Sequence, residues 1–301
     1  MNKWLKRSGL GLLTLAGLGA AALVVGAQLG ERKMQRRIDV KVAPVALRDD
    51  AASVERGRYL FMSRGCTECH AADGAGKDVI NDGKGFVVHA PNITPAAGSV
   101  VAAYSASDWV RTIRHGVKPD GRPALVMPSE DYARFTDDDL AALVAFLRQM
   151  PAVAGSGAKI EFPLPVKAFY GAGLVQDAAE KIDHTLPVSR PVPEAVTAEH
   201  GAYVANSCIG CHGAGLSGGK VPGGPPDWPA AANLTTGEGS AMTLYPTPDS
   251  FVAMLRSGKR PDGSAISPVM PFAALKALSD TDAKAIYLHL KTMPPRAAGQ
   301  H

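Results

Sequence analysis

Cys66-Thr67-Glu68-Cys69-His70 and Cys208-Ile209-Gly210-Cys211-His212 are two copies of one pattern, C-x-x-C-H. Two thiols spaced this way can add to the two vinyl groups of one porphyrin, and the adjacent histidine then falls beneath the iron as its proximal ligand. The chain has four cysteines, and the two motifs use them all. A thioredoxin-like redox pair would open a helix inside a βαβ pattern, and neither flank has the required apolar β-branched strand. A four-cysteine zinc site would join halves more than a hundred residues apart and leave the two histidines without a purpose. A disulfide within each pair would close a strained loop. The motifs therefore imply two covalently bound haem c groups, held by Cys66, Cys69, Cys208 and Cys211 and ligated by His70 and His212. Two redox irons in one chain point to electron transfer.

The motifs belong to a larger duplication. Asn92-Ile93-Thr94 answers to Asn233-Leu234-Thr235, and Asp108 through Gly116 answers to Asp249 through Gly258. Val126-Met127-Pro128 answers to Val269-Met270-Pro271, and Thr136 through Pro151 to Ser279 through Pro294. Parts recur in the same order at one long offset, which marks a tandem pair rather than a short-period solenoid. The Asn-x-Thr segments match a glycosylation acceptor, but their duplicated position favours a structural turn.

Each half reads as a small helical domain. Val54 to Met62 is an expected helix, with Gly57 for close helix contact and Tyr59 to fill the seam. The last helix of each half begins at Thr136 or Ser279, with acids in the first turn. Leu140, Leu143, Val144 and Leu147 then make an apolar stripe at helical spacing. The expected boundaries are 53–152 for the first domain and 195–296 for the second. Residues 153–194, rich in Pro, Gly and Ala, form a linker: a strap across the first domain around 160–165, where no regular helix is expected, and a hinge at 187–193.

What fills the second axial side of each iron decides between carrier and catalyst. The repeat nominates Met127 and Met270, each in a Met-Pro pair, because a thioether is a soft ligand that favours ferrous iron. Met150 and Met293 are duplicated too, but they sit at the far end of the last helix. Among the histidines, His115 aligns with Ser257 and His289 with Phe146, while His89, His184 and His200 find no partner; each is read as a surface or core residue. Arg114 and Arg256 correspond, and each is either a propionate partner or a solvated surface arginine.

Residues 9–30 carry no charge, a length that suits a membrane-crossing helix better than a signal h-region. Cleavage near Val25-Gly26-Ala27 is the alternative. Residues 1–30 are thus read as a signal-anchor, single-pass in the inner membrane with the haem domains in the periplasm, or else a leader that releases the chain there. Residues 1–41 hold eight Lys or Arg against Glu31 and Asp39, a net of +6 that leaves −2 for the remainder. The basic character sits beside the membrane, and nucleic-acid binding has no support.

With these motifs in hand, the chain resembles tandem class I cytochrome c domains, and most of all the membrane-anchored multihaem cytochrome c subunits of bacterial alcohol, aldehyde and gluconate dehydrogenases. The resemblance implies an all-α fold, His70 and His212 as proximal ligands and Met127 and Met270 as distal ones. It also implies an electron-transfer subunit rather than an enzyme, relaying electrons from a dehydrogenase to a quinone or terminal oxidase of the respiratory chain. Such subunits commonly carry three haem domains, and two motifs are present here. A diheme cytochrome subunit of a haem–copper oxidase and a diheme peroxidase are the rival expectations.

Overall fold

Helix α1, Lys3–Met34, is one unbroken rod, and from Arg7 to Val25 its residues are almost all exposed. From there its inward positions are Ala27, Gly30 and Met34, a stripe at helical spacing that packs against the rest of the molecule. The computed structural model describes residues 3–221, 223–225 and 227–300.

The first lobe contains α2 (Ala51–Ser63), α3 (Cys66–His70), α4 (Ala106–His115) and α5 (Asp137–Gln149). Asp50, Ser105 and Thr136 cap three of these helices by accepting hydrogen bonds from orphan backbone N–H groups. Helices α6 (Leu164–Gly171) and α7 (Ala178–Lys181) belong to the connecting segment. The second lobe contains α8 (Ala198–Ala205), α9 (Ile209–His212), α10 (Pro248–Ser257), α11 (Phe272–Lys276) and α12 (Asp280–Thr292). Thr197, Thr247 and Ser279 are its caps.

In each lobe the helix before the haem motif crosses the last helix at a glycine. A Cβ on Gly57 would overlap the Ala142 carbonyl, and one on Gly201 would overlap that of Ala285. This close crossing lets the apolar stripes meet. Leu60 and Phe61 pack with Leu140, Leu143, Val144 and Leu147 in the first core. Val204 and Ala205 pack with Ile286, Tyr287 and Leu290 in the second. The duplicated apolar pattern thus builds two separate cores.

The chain is mostly helical, as expected, with one departure. Strands β1 (Asp78–Asn81), β2 (Val87–His89) and β3 (Lys159–Glu161) form a small antiparallel sheet in that order. Val88 faces Ile160 across the β2–β3 pair, so the linker does cross the first lobe at this point. Beyond it the expectation of irregular chain fails: Pro163 and Pro165 open α6 instead of preventing it, because the first helical turn needs no proline N–H. Helix α6 packs on α1 rather than on the first lobe.

The lobes meet along a pseudo-twofold seam. The Tyr59 hydroxyl donates to Asp282 and accepts from the Ser279 backbone N–H, at 2.6 and 3.0 Å. The Tyr203 hydroxyl does the same with Asp139 and Thr136, at 2.7 and 3.2 Å. Each ring packs against the core of its own lobe, as the sequence suggested for Tyr59, while its hydroxyl reaches into the other lobe.

Candidate haem-binding sites

A single turn of helix carries each motif. Gly65, with φ +81°, ends the approach from α2, and α3 then places Cys66, Cys69 and His70 along one wall of a cavity. Met127 lines that cavity as well, while Met150 is buried in the core with its sulfur close to Gly74. Trp109, Tyr104, Ile113, Leu143 and Leu147 supply apolar sides, and Val88 and Ile160 of the small sheet supply part of the rim. Of the two duplicated methionines in this lobe, the one that shares a cavity with His70 is Met127.

The two motif histidines are held alike. His70 Nδ1 lies 2.9 Å from the Pro91 carbonyl, and His212 Nδ1 lies 2.9 Å from that of Ala232. A carbonyl only accepts, so each Nδ1 is the protonated nitrogen and each Nε2 keeps its lone pair for a metal. Burial pulls both imidazoles below their ordinary range, against the opposing carbonyl bond, which favours the neutral, ligating form.

The two accepting carbonyls explain the duplicated Asn-x-Thr segments. Asn92 Oδ1 accepts from the backbone and hydroxyl of Thr94, both at 2.8 Å, and Asn233 Oδ1 does so from Thr235 at 2.9 and 2.8 Å. Asn92 Nδ2 then ties the turn to Val153 O, and Asn233 Nδ2 ties its counterpart to Arg296 O. Pro91 and Ala232 immediately precede these asparagines, so the turn fixes the carbonyl that orients the imidazole. The duplication exposed the turn as structural, but its role behind the histidine required coordinates.

The sulfur environment fits thioethers. Burial pushes the Cys66 and Cys208 thiols up to about 12, so these sites disfavour thiolate charge. A thioether carries no charge to desolvate. Cys208 and Met270 both pack against the second core, beside Ile209, Leu234 and Phe272. The donor set and its polarity match covalent haem c, with Cys66, Cys69 and His70 in the first lobe and Cys208, Cys211 and His212 in the second.

The other candidates are engaged elsewhere. Arg114 is buried and pairs with Asp137 at 2.7 Å through Nη1, while its Nε and Nη2 meet no partner among the described residues. Arg256 donates to the carbonyls of Leu275, Lys276 and Leu278 and to Asp280. His200 bonds Asp282, and His115 meets His184 with their Nδ1 atoms 3.0 Å apart. His89 sits at the cavity rim between Asp78 and Ser156, which fastens the small sheet to the linker.

One link between the sites was not visible in the sequence. The short 3-10 helix Ser129–Asp131 follows Met127-Pro128, and Asp131 Oδ1 accepts from the Gly210 N–H at 2.7 Å. The loop that carries Met127 in one lobe thus rests on the haem motif of the other. Helix α11, which follows Met270-Pro271, packs reciprocally on α3.

Residues 54–151 match the family model for cytochrome c, and the first lobe is a cytochrome c domain. The chain is similar to the fructose dehydrogenase cytochrome subunit of Gluconobacter japonicus, at 26% identity over 81% of this chain and 53% of that protein. It is similar at 27% to the cytochrome c subunit of the quinone-dependent alcohol dehydrogenase of Gluconobacter oxydans, over 84% of this chain and 57% of that one. A diheme cytochrome c-type protein of Cereibacter sphaeroides is 30% identical over 37% of this chain and 41% of its own. The chain spans little more than half the length of the two dehydrogenase subunits it matches.

Proposed function

We propose that this chain is a diheme c-type cytochrome that passes electrons from a dehydrogenase to a quinone or terminal oxidase. In this reading the second lobe, residues 195–296, is a cytochrome c domain like the first, residues 53–152. The observation that carries the proposal is the cavity shared by Cys66, Cys69, His70 and Met127, with its proximal arrangement repeated at His212. When bound, each haem would supply a one-electron iron couple; the protein supplies the ligands and the surroundings that tune it. His70 and His212 present Nε2 from fixed tautomers. Met127 and Met270 offer thioethers that favour the ferrous state. Trp109, Ile113, Leu143 and Leu147 keep water from the first site. Met127 in the cavity with His70, and Met270 against the second core, offer each iron a distal thioether, which disfavours the peroxidase reading.

The names of the relatives support a dehydrogenase as the electron donor. Helix α1, long and apolar enough to cross a membrane, supports an inner-membrane anchor with the lobes in the periplasm. The alternative cleavage at Val25-Gly26-Ala27 would fall inside the stretch of α1 that packs on α6, which favours the uncleaved form.

Mass spectrometry of the matured chain, with isolation of its native membrane complex, tests this reading. Two haem additions are expected, along with a dehydrogenase whose substrate reduces both. One haem would refute the diheme assignment, and copurification with an oxidase core would move the protein to that complex instead.

A further inference from the structure

We infer that α6 is a second membrane-contacting element, lying in the outer leaflet of the bilayer that α1 crosses; this rests on the anchor reading of α1. Leu164, Phe169 and Leu174 are 55, 51 and 74% exposed, on a segment from Phe162 to Val175 whose one charged residue is Lys167. Lys167 is already paired with Glu31 of α1 at 2.7 Å. An apolar face this open needs a cover, and its position on α1 says which.

The two helices touch backbone to backbone. A Cβ on Gly30 would overlap the Lys167 carbonyl, a Cβ on Gly171 would overlap the Gly26 carbonyl, and one on Gly26 would press on Ala168. Small residues of this kind allow close contact between helices at membrane depth. Gly26 and Gly30 lie at the end of the uncharged run 9–30, about 33 Å of helix at ~1.5 Å per residue, against a hydrocarbon layer of about 30 Å. The crossing therefore falls at the outer edge of that layer, the depth of roughly 5–10 Å where interfacial helices bury their apolar faces. Val25 and Leu29 of α1 are exposed at the same level, so the apolar surface continues from one helix to the other.

The polar groups are arranged for that depth. Lys33 donates to the Tyr170 carbonyl at 2.9 Å, and Arg36 donates to the Tyr170 hydroxyl at 2.6 Å and to Asp177 at 2.9 Å. With Lys33 also paired to Glu180 at 2.9 Å, these contacts are internally neutralised and clamp α6 to the end of α1 where the chain leaves the hydrocarbon layer. The chain thus grips the bilayer through two elements at a fixed angle, and the haem lobes above them take one orientation to the membrane plane.

A nitroxide at Phe169→Cys, and separately at Leu174→Cys, tests this in the full-length matured protein in phospholipid nanodiscs. The four native cysteines are thioether-bonded in the proposed protein, so each variant carries one reactive thiol. Leu15→Cys in α1 gives the lipid reference, and Val188→Cys in the exposed hinge gives the water reference. Accessibility to oxygen over accessibility to a water-soluble nickel chelate should be several-fold higher at Phe169 and Leu174 than at Val188, approaching the ratio at Leu15. A lipid-like Leu15 with water-like Phe169 and Leu174 overturns the inference, leaves the anchor standing and gives the α6 face to a protein partner. A water-like Leu15 overturns the anchor and the inference together.

Discussion

Tyr59 of the first lobe donates to Asp282 of the second at 2.6 Å, and Tyr203 returns the bond to Asp139 at 2.7 Å. Asp139 and Asp282 stand at matching places in α5 and α12, so one duplicated residue pair serves twice as the lobe-to-lobe clamp. The symmetry is broken by one cation. Arg64, buried, pairs with Asp282 across the seam at 2.6 Å, whereas Asp139 receives Arg56 from its own lobe at 2.8 Å. Burial alone would raise the Asp282 carboxyl, yet Arg64 and the bonds from Tyr59 and His200 hold it below its ordinary range.

Tyr59→Phe should loosen this clamp with little change in shape. The Ser279 N–H loses its acceptor and Asp282 one donor, at a cost of about 1–3 kcal/mol for a buried group left unpaired. Tyr203→Phe should cost a similar amount, and the double variant should come close to the sum. Denaturant unfolding of the haem-loaded protein measures all three. Two neutral substitutions would mean that the lobes are held by something other than these bonds.

Gly57→Ala and Gly201→Ala should each be far more damaging than their size suggests. The added methyl meets the backbone carbonyl of Ala142 or Ala285, which cannot turn aside as a side chain could. The helix pair must separate, and overpacking of this kind costs about 1–3 kcal/mol or more. Each variant should give less haem-stained protein and a lower Tm, and the lobe that fails should be the one that carries the substitution.

Much of this was legible in the sequence because it recurs. The motifs, the Asn-x-Thr turns, the caps at Thr136 and Ser279 and the stripe from Leu140 to Leu147 are local patterns, and duplication separated them from chance. The small sheet was not legible. Its strands are three or four residues long, and Val88 and Ile160 pair across a distance in sequence that no short-range alternation reports. Helix α6 was hidden by Pro163 and Pro165, which read as breakers until the helix start is placed between them. The cross-lobe bond of Tyr59 was not legible either, because a helix periodicity gives the face on which the ring packs and not the partner that its hydroxyl meets.

Asp131 makes the seam sensitive to pH. Burial pushes its carboxyl up to about 7, against the opposing Gly210 N–H. A folded-state value above the unfolded one means that the folded protein holds a proton the unfolded chain has released. Its contribution is therefore fully present below about pH 4 and is lost as pH rises toward and through 7. Asp131→Asn keeps the acceptor oxygen and removes the ionisation. It should match the parent near pH 4 and exceed it above pH 7 by about 2 kcal/mol, less than the whole shift converts to because Asp131 keeps a partly exposed edge. Calorimetry at pH 5 and pH 8 gives the comparison, and parallel curves for the two proteins would remove Asp131 from the account.

Met127 and Met150 are both duplicated methionines near the first haem motif, and their replacement by leucine separates ligand from filler. Met127 lines the cavity with His70, while Met150 is sealed in the core beside Val144 and Leu147. Met150→Leu is a volume-conserving swap and should cost less than about 1.5 kcal/mol, with no change in the absorption spectrum. Met127→Leu should abolish the methionine–iron charge-transfer band of one haem. It should also lower that haem's potential by a sizeable part of the roughly 0.8 V range that axial ligands govern. Redox titration beside the spectrum reads both effects, and Met270→Leu should repeat them on the other haem. If the band were lost in Met150→Leu and kept in Met127→Leu, the sulfur facing His70 would have to come from the end of α5, and the cavity wall at Met127 would be packing alone.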